Sequence, residues 1–189
     1  MSYNSKTSKL GEIVPKVFAR LERSIDQVEL TRIIDDYLIC AERGGNLEPG
    51  MAREERVSFN PRLARILLLL EADGGVRDSL VLRAALYAAS PADEACVQQA
   101  ADIHTGLSEL VQEARSSTPS TATAALISGV LELDTVRHIH QTTFSPDERA
   151  EMLMHAELMH RRIVQAQAPE WICTKLSHAI ALQRRAANS

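Results

Sequence analysis

Aromatic residues make up only 4% of this chain, and that scarcity excludes one class of function. Proteins that hold single-stranded nucleic acid do so on rows of aromatic stacking platforms, and no such rows exist here. Positive charge is not in excess either. The 21 Lys and Arg stand against 25 Asp and Glu, for a formal net charge of -4. That balance offers no global attraction to nucleic acid or to an anionic membrane. Only three cysteines occur, Cys40, Cys96 and Cys173, far apart and without a CxxC pair. The odd count and the spacing argue against a disulfide scaffold and read as buried free thiols. Long apolar runs are missing too. The run ILLLL at 66–70 is flanked closely by Arg65 and Glu71 and is too short to span a bilayer. The N-terminal MSYNSKTSKLGEIVPKV lacks the apolar core of a signal peptide. The expectation is a reduced, cytoplasmic protein that engages neither membrane nor nucleic acid.

Alanine and leucine dominate what is present, and both favour helices. A chain of 189 residues builds one sizeable hydrophobic core, whereas two independent domains would be crowded. Leu10, Ile13, Val14, Val17, Phe18 and Leu21 fall at helical spacing over residues 10–22, with Pro15 as a kink or first-turn residue. Over 26–43, Asp26 and Glu29 form a capping-box pattern ahead of Val28, Leu30, Ile33, Ile34, Tyr37 and Leu38. Gly44-Gly45 stops that helix, and 44–58 reads as a loop. Asn60-Pro61 opens the next helix, which ends at ADGG, 72–75. The run 66–70 is read as part of a buried helix. Asp78 or Ser79 opens SLVLRAALYAAS, a single helix is expected over 91–115, and SSTPSTAT at 116–123 is a loop. The remaining helices are expected at 122–140, 146–166 and 169–185. Ser145, Pro146 and Glu148 make a strong start for the second of these. Arg184-Arg185 suits the end of the third. Trp171 is expected to anchor the last helix in the core, with an exposed binding hot spot as the second reading. Sheet-forming alternation is weak throughout, so the fold class is all-α.

Four of the six histidines fall within residues 130–160. Asp134 and His138 lie four apart and share a helix face, while His140 is on another side. His155 and His160 are five apart with Glu157 between them. The string is HAELMH and not HExxH, so the two-histidine zinc geometry of that motif is absent. Two helices can still bring Asp134, His138 and a later histidine together as a metal site. The blander reading is exposed or helix-packing histidines, and a pH-responsive surface is a third. Arg137, Arg161 and Arg162 suit a phosphate group because the guanidinium fork is planar; salt bridging along charged helices is the plainer account. No GxGxxG, GxxxxGK[ST] or GxSxG occurs.

Three segments, in order, resemble the helical hydrolase domain of RelA/SpoT-type alarmone enzymes, part of the histidine-aspartate (HD) superfamily. They are Asn60-Pro61 with RLARILLLL, then VLRAALYAA at 81–89, then LELDTVRHI at 131–139 followed by SPDERAEMLMHAELMHRRI at 145–163. The resemblance covers roughly residues 55–180 and implies an HD-like bundle. It also implies where metal ligands would stand, and this chain departs at each place. Asn60 stands where the family has a histidine, Ala88-Ala89 where it has His-Asp, and Leu131 where it has a later Asp; Asp134 is three residues displaced. An HD hydrolase uses its metal to activate water and polarise phosphate, and alanine and leucine cannot hold that ion.

The sequence therefore predicts a compact multi-helix, HD-domain-like bundle. It would comprise an N-terminal helical extension, 1–54, packed on a degenerate HD-like domain, 55–185. The leading expectation is a non-catalytic interaction or regulatory module without cofactor or metal, since fold and chemistry are separable. Its partner would be another protein or a second copy, with a nucleotide ligand possible. One alternative is a metal-dependent phosphohydrolase acting on a nucleotide. It would use a relocated site of Asp134, His138, His155, Glu157 and His160, with Arg137 or Arg161 on phosphate. The other is a nucleotide-binding sensor that keeps a basic concavity without metal.

Overall fold

The computed structural model describes residues 61–89, 94–139 and 144–187, together with 32, 33, 35–37 and 39. Among these residues the protein is all-α. It has seven α-helices and no strand. They are α1 (Pro61–Leu68), α2 (Ser79–Ala89), α3 (Glu94–Ala101), α4 (Leu107–Arg115), α5 (Ala122–His138), α6 (Pro146–Gln165) and α7 (Glu170–Ala187). A π-helical turn, Leu69–Asp73, continues α1. None of the described helices is long and apolar enough to cross a membrane. The expected N-terminal extension lies mostly outside the described residues, as do Cys40, Asn60 and His140. Contacts divide the chain into two compact units, Met1–Ser108 and Glu109–Ser189.

In the first unit, the apolar run of α1 and its π-helical turn buries Ile66, Leu67, Leu69 and Leu70, as its composition predicts. Val76 N–H then donates to the Leu70 carbonyl at 3.0 Å, and Gly75 takes φ +59° to reverse the chain. Asp78 starts α2 by accepting from Leu80 N–H at 2.8 Å and from Val81 N–H at 3.4 Å. That satisfies two donors which a helix N-terminus leaves open. Helix α2 buries seven consecutive residues, Val81 to Tyr87, the signature of a helix surrounded on all sides. Tyr87 meets Tyr37 edge to face, with ring centroids 6.2 Å apart. Ile39, from the same stretch as Tyr37, is exposed.

The single helix expected over 91–115 is in fact two. Helix α3 ends at Ala101, a turn follows, and α4 begins at Leu107. Gly106 sets the break with φ +83°, a conformation that side-chain-bearing residues rarely adopt and no helix interior contains. Ala, Gln and Glu on either side carry the helical propensity that hides this break in the sequence.

The second unit is built around α5. Thr121 caps it, its Oγ1 accepting from Ala124 N–H at 3.2 Å, and α5 buries ten residues along its length. Gly129 sits where α5 meets α6 and α7. A Cβ there would lie 2.8 Å from Ile172 Cγ1 and 3.1 Å from Ile163 Cδ1. Ser128 Oγ, buried beside it, donates toward the carbonyls of Ala114 (2.7 Å) and Ala124 (2.9 Å). The loop before α5 is fastened by Glu113, whose carboxylate accepts from the N–H groups of Ser120 and Thr121, both at 2.7 Å. Helix α6 opens with the expected capping box. Glu148 N–H donates to Ser145 Oγ at 3.2 Å, and Ser145 N–H donates to Glu148 Oε2 at 2.7 Å. Helix α7 contributes Ile172, Leu176, Ala179 and Ile180 to the core. Trp171 at its start is half-buried, beside the fully buried Ile172 and Leu176.

Candidate functional site

The described members of the histidine-rich stretch lie on α5 and α6 of the second unit, and Asp134, His138, His155, Glu157 and His160 each have a partner. His138 places Nδ1 2.7 Å from the backbone oxygen of Asp134, with Asp134 Oδ1 3.3 Å away. A carbonyl oxygen accepts only, so Nδ1 donates here and Nε2 is the nitrogen left for a further partner. Asp134 is buried, at 3% exposure. His155 is exposed and lies 3.5 Å from Glu132 Oε1 of α5. His160 donates from Nε2 to the backbone oxygen of Cys173 at 3.1 Å. Glu157 forms an ion pair with Arg184, tying α6 to α7. Arg137 and Arg161 are exposed. Arg162 donates to the Ser117 carbonyl at 2.6 Å.

Helix geometry accounts for this dispersal. At about 100° per residue, His155 points toward α5 and away from Glu157 and His160, which share the side facing α7. Among the described residues no group of three or more His, Cys, Asp or Glu side chains is placed to hold a metal ion. Of the positions where the resemblance implies ligands, Ala88 and Ala89 are half-buried at the end of α2, and Leu131 is half-buried on α5. Asn60 lies outside the described residues.

A shallow groove of about 450 Å³ runs along α7, lined by His160, Cys173, Thr174, Ser177, His178 and Ala181. Its chemistry is muted. Burial pushes the Cys173 thiol above its ordinary value, which leaves little of the nucleophilic thiolate at neutral pH.

Sequence reasoning missed a polar centre in the first unit. Arg83, 1% exposed in the middle of α2, forms an ion pair with Asp36. His104 Nε2 lies 3.7 Å from the same Asp36 Oδ2. The Tyr87 phenol is pushed up to about 12, first by burial and then by the Asp36 charge. A signal was present. An arginine within LVLRAALYAA must take its charge into the core, and buried charges are paired. Nothing in the sequence spacing says that its partner stands 47 residues earlier.

Comparison with protein-family models, with curated proteins and with solved structures finds no match to the chain.

Proposed function

We propose that this chain is a non-catalytic helical interaction module, of HD-like ancestry and cytoplasmic, which acts by presenting a helix surface to another polypeptide. The observation that carries the reading is on α6. This helix is well capped and spans 20 residues, yet it holds Met154 at 66% exposure, Leu158 at 38% and Val164 at 50%. Large apolar side chains on one ordered helix are what a partner surface needs. Support for the non-catalytic half comes from the separate pairings of these groups: His155, Glu157 and His160 each reach a neighbouring helix, and His138 pairs with Asp134 of its own helix. The HD-like ancestry is supported by the sequence resemblance and by the all-α fold.

The test is to incubate the purified chain with manganese and a guanosine nucleotide carrying a 3′-diphosphate, the substrate class that the resemblance implies. The expected result is no release of pyrophosphate and no manganese-dependent rise in melting temperature. Manganese-dependent turnover that disappears in His138→Ala would overturn the reading in favour of a relocated hydrolase site.

A further inference from the structure

The outward face of α6 reads as a complete contact stripe. Asp147, Glu151, Met154, Leu158, Arg161 and Gln165 are all exposed and are spaced 4-3-4-3-4 along the chain. At about 100° per residue they occupy an arc of about 80°. The opposite side of the helix buries Leu153, Ala156, Met159 and Ile163 in the protein's own core. The spacing alternates as the a and d positions of a coiled coil do. It runs for about 27 Å of helix at 1.5 Å per residue.

The charges along the stripe are ordered as well. The acidic side chains Asp147 and Glu151 stand in its first half, and Arg161 stands in its second. Two such stripes laid antiparallel, with a two-fold axis level with Ala156, bring each position against its complement. Met154 meets the second copy's Leu158. Glu151 meets the second copy's Arg161, and Asp147 meets its Gln165. Each of these pairs joins an a position to a d position, the layer type of an antiparallel coiled coil. A parallel pairing would instead set Glu151 on Glu151 and Arg161 on Arg161, with like charges opposed.

We propose that α6 is a homodimerisation surface, pairing antiparallel with α6 of a second copy of this chain through Met154 and Leu158, with Glu151 and Arg161 fixing direction and register. The inference rests on the interaction-module reading and names its partner. The surface is isologous, as a two-fold dimer requires. It is also narrow, one helix against one helix, so the dimer belongs among weak interfaces with micromolar dissociation constants.

Sedimentation velocity on the full chain over a wide concentration range tests this. The wild type is expected to show a reversible monomer–dimer equilibrium. Leu158→Asp and, independently, the more exposed Met154→Asp are each expected to give monomer throughout, with circular-dichroism melts close to wild type. Glu151→Arg alone and Arg161→Glu alone each turn two attractions into two repulsions across the two-fold. Each is expected to weaken the dimer about tenfold. The double variant Glu151→Arg, Arg161→Glu restores both pairs and is expected to recover wild-type affinity. A wild type that stays monomeric overturns the proposal, as does a dimer that tolerates both aspartate variants. A double variant no tighter than the singles overturns the antiparallel register. Metal-dependent nucleotide turnover in the same preparation would sink the non-catalytic reading and leave the dimer measurement standing, so the two failures are distinguishable.

Discussion

Replacing Gly129 by alanine sets two effects of known size against each other. In a helix interior, alanine is better than glycine by about 1 kcal/mol, because glycine loses more backbone freedom on folding. On an open helix face Gly129→Ala would therefore stabilise. Here the new methyl would lie 2.8 Å from Ile172 Cγ1 and 3.1 Å from Ile163 Cδ1. The Ile163 atom is the end of a side chain and can move. The Ile172 atom is at a branch inside a fully buried residue, and shifting it moves α7. Overpacking of this kind costs about 1–3 kcal/mol. The contact is at the hard end of that range, so the net expectation is a loss of about 1–2 kcal/mol, or roughly 2–8 °C in melting temperature for a chain of this size. The assay is urea unfolding followed by circular dichroism, with a second arm in an Ile172→Ala background. There the obstructing Cγ1 is gone and the added methyl refills part of the void. Gly129→Ala should then change sign and stabilise by about 1 kcal/mol, as propensity alone dictates. Stabilisation in the wild-type background would refute the close approach of α5 to α7 at this point.

Two predictions concern pH. The Glu113 carboxyl is held below its ordinary value of 4.5, chiefly by the hydrogen bond from the Ser120 hydroxyl, with further donation from both backbone N–H groups of the loop. A depressed folded value means that the stabilisation is complete above 4.5 and is lost as the pH falls through the folded value. Melting temperatures measured from neutral to acid pH should therefore fall more steeply for the wild type than for Glu113→Gln; parallel curves would refute the clamp. At the other end, Tyr87 is raised from 10.0 to about 12, so its contribution is complete below 10.0 and is lost as the pH rises through about 12. Tyr87→Phe should flatten the alkaline loss of stability over that window. Spectrophotometric titration of the wild type should show one phenol ionising near 12.

The second unit was legible in the sequence because its punctuation is local. Ser145, Pro146 and Glu148 announce the start of α6 within four consecutive residues, and the structure realises that capping box with both of its hydrogen bonds. The α3–α4 break was not legible. Gly106 is a single residue between segments of good helical propensity, and its positive φ is fixed by the turn that tertiary packing selects. Arg83 failed differently. Its burial follows from the apolar run around it, but the identity of Asp36 depends on a contact distant in sequence. The histidine-rich stretch drew attention because titratable side chains lay close along the chain. Closeness along a helix is not convergence in space: the turn of the helix separates His155 from His160, and each finds a partner on a neighbouring helix.

Helix α6 shows what periodicity could and could not supply. Its apolar residues, Met152, Leu153, Met154, Ala156, Leu158, Met159, Ile163 and Val164, surround much of the helix, so the sequence does not say which of them face inward. Packing decides it. Gly129 on α5 admits Ile163, one of the contacts that turn this side of α6 inward. Leu153, Ala156 and Met159 then turn inward with Ile163. Met154 and Leu158, a few residues away, are thereby committed to the outside. The close approach at Gly129 therefore bears on which apolar residues are left over, and so on the stripe proposed to meet a second copy. A variant that rotates or loosens α6 should therefore weaken the dimer without touching its surface. Gly129→Ala is such a variant, and its dimer affinity should drop alongside its stability, whereas Met154→Asp, at a side chain 66% exposed, should abolish the dimer and leave stability close to wild type.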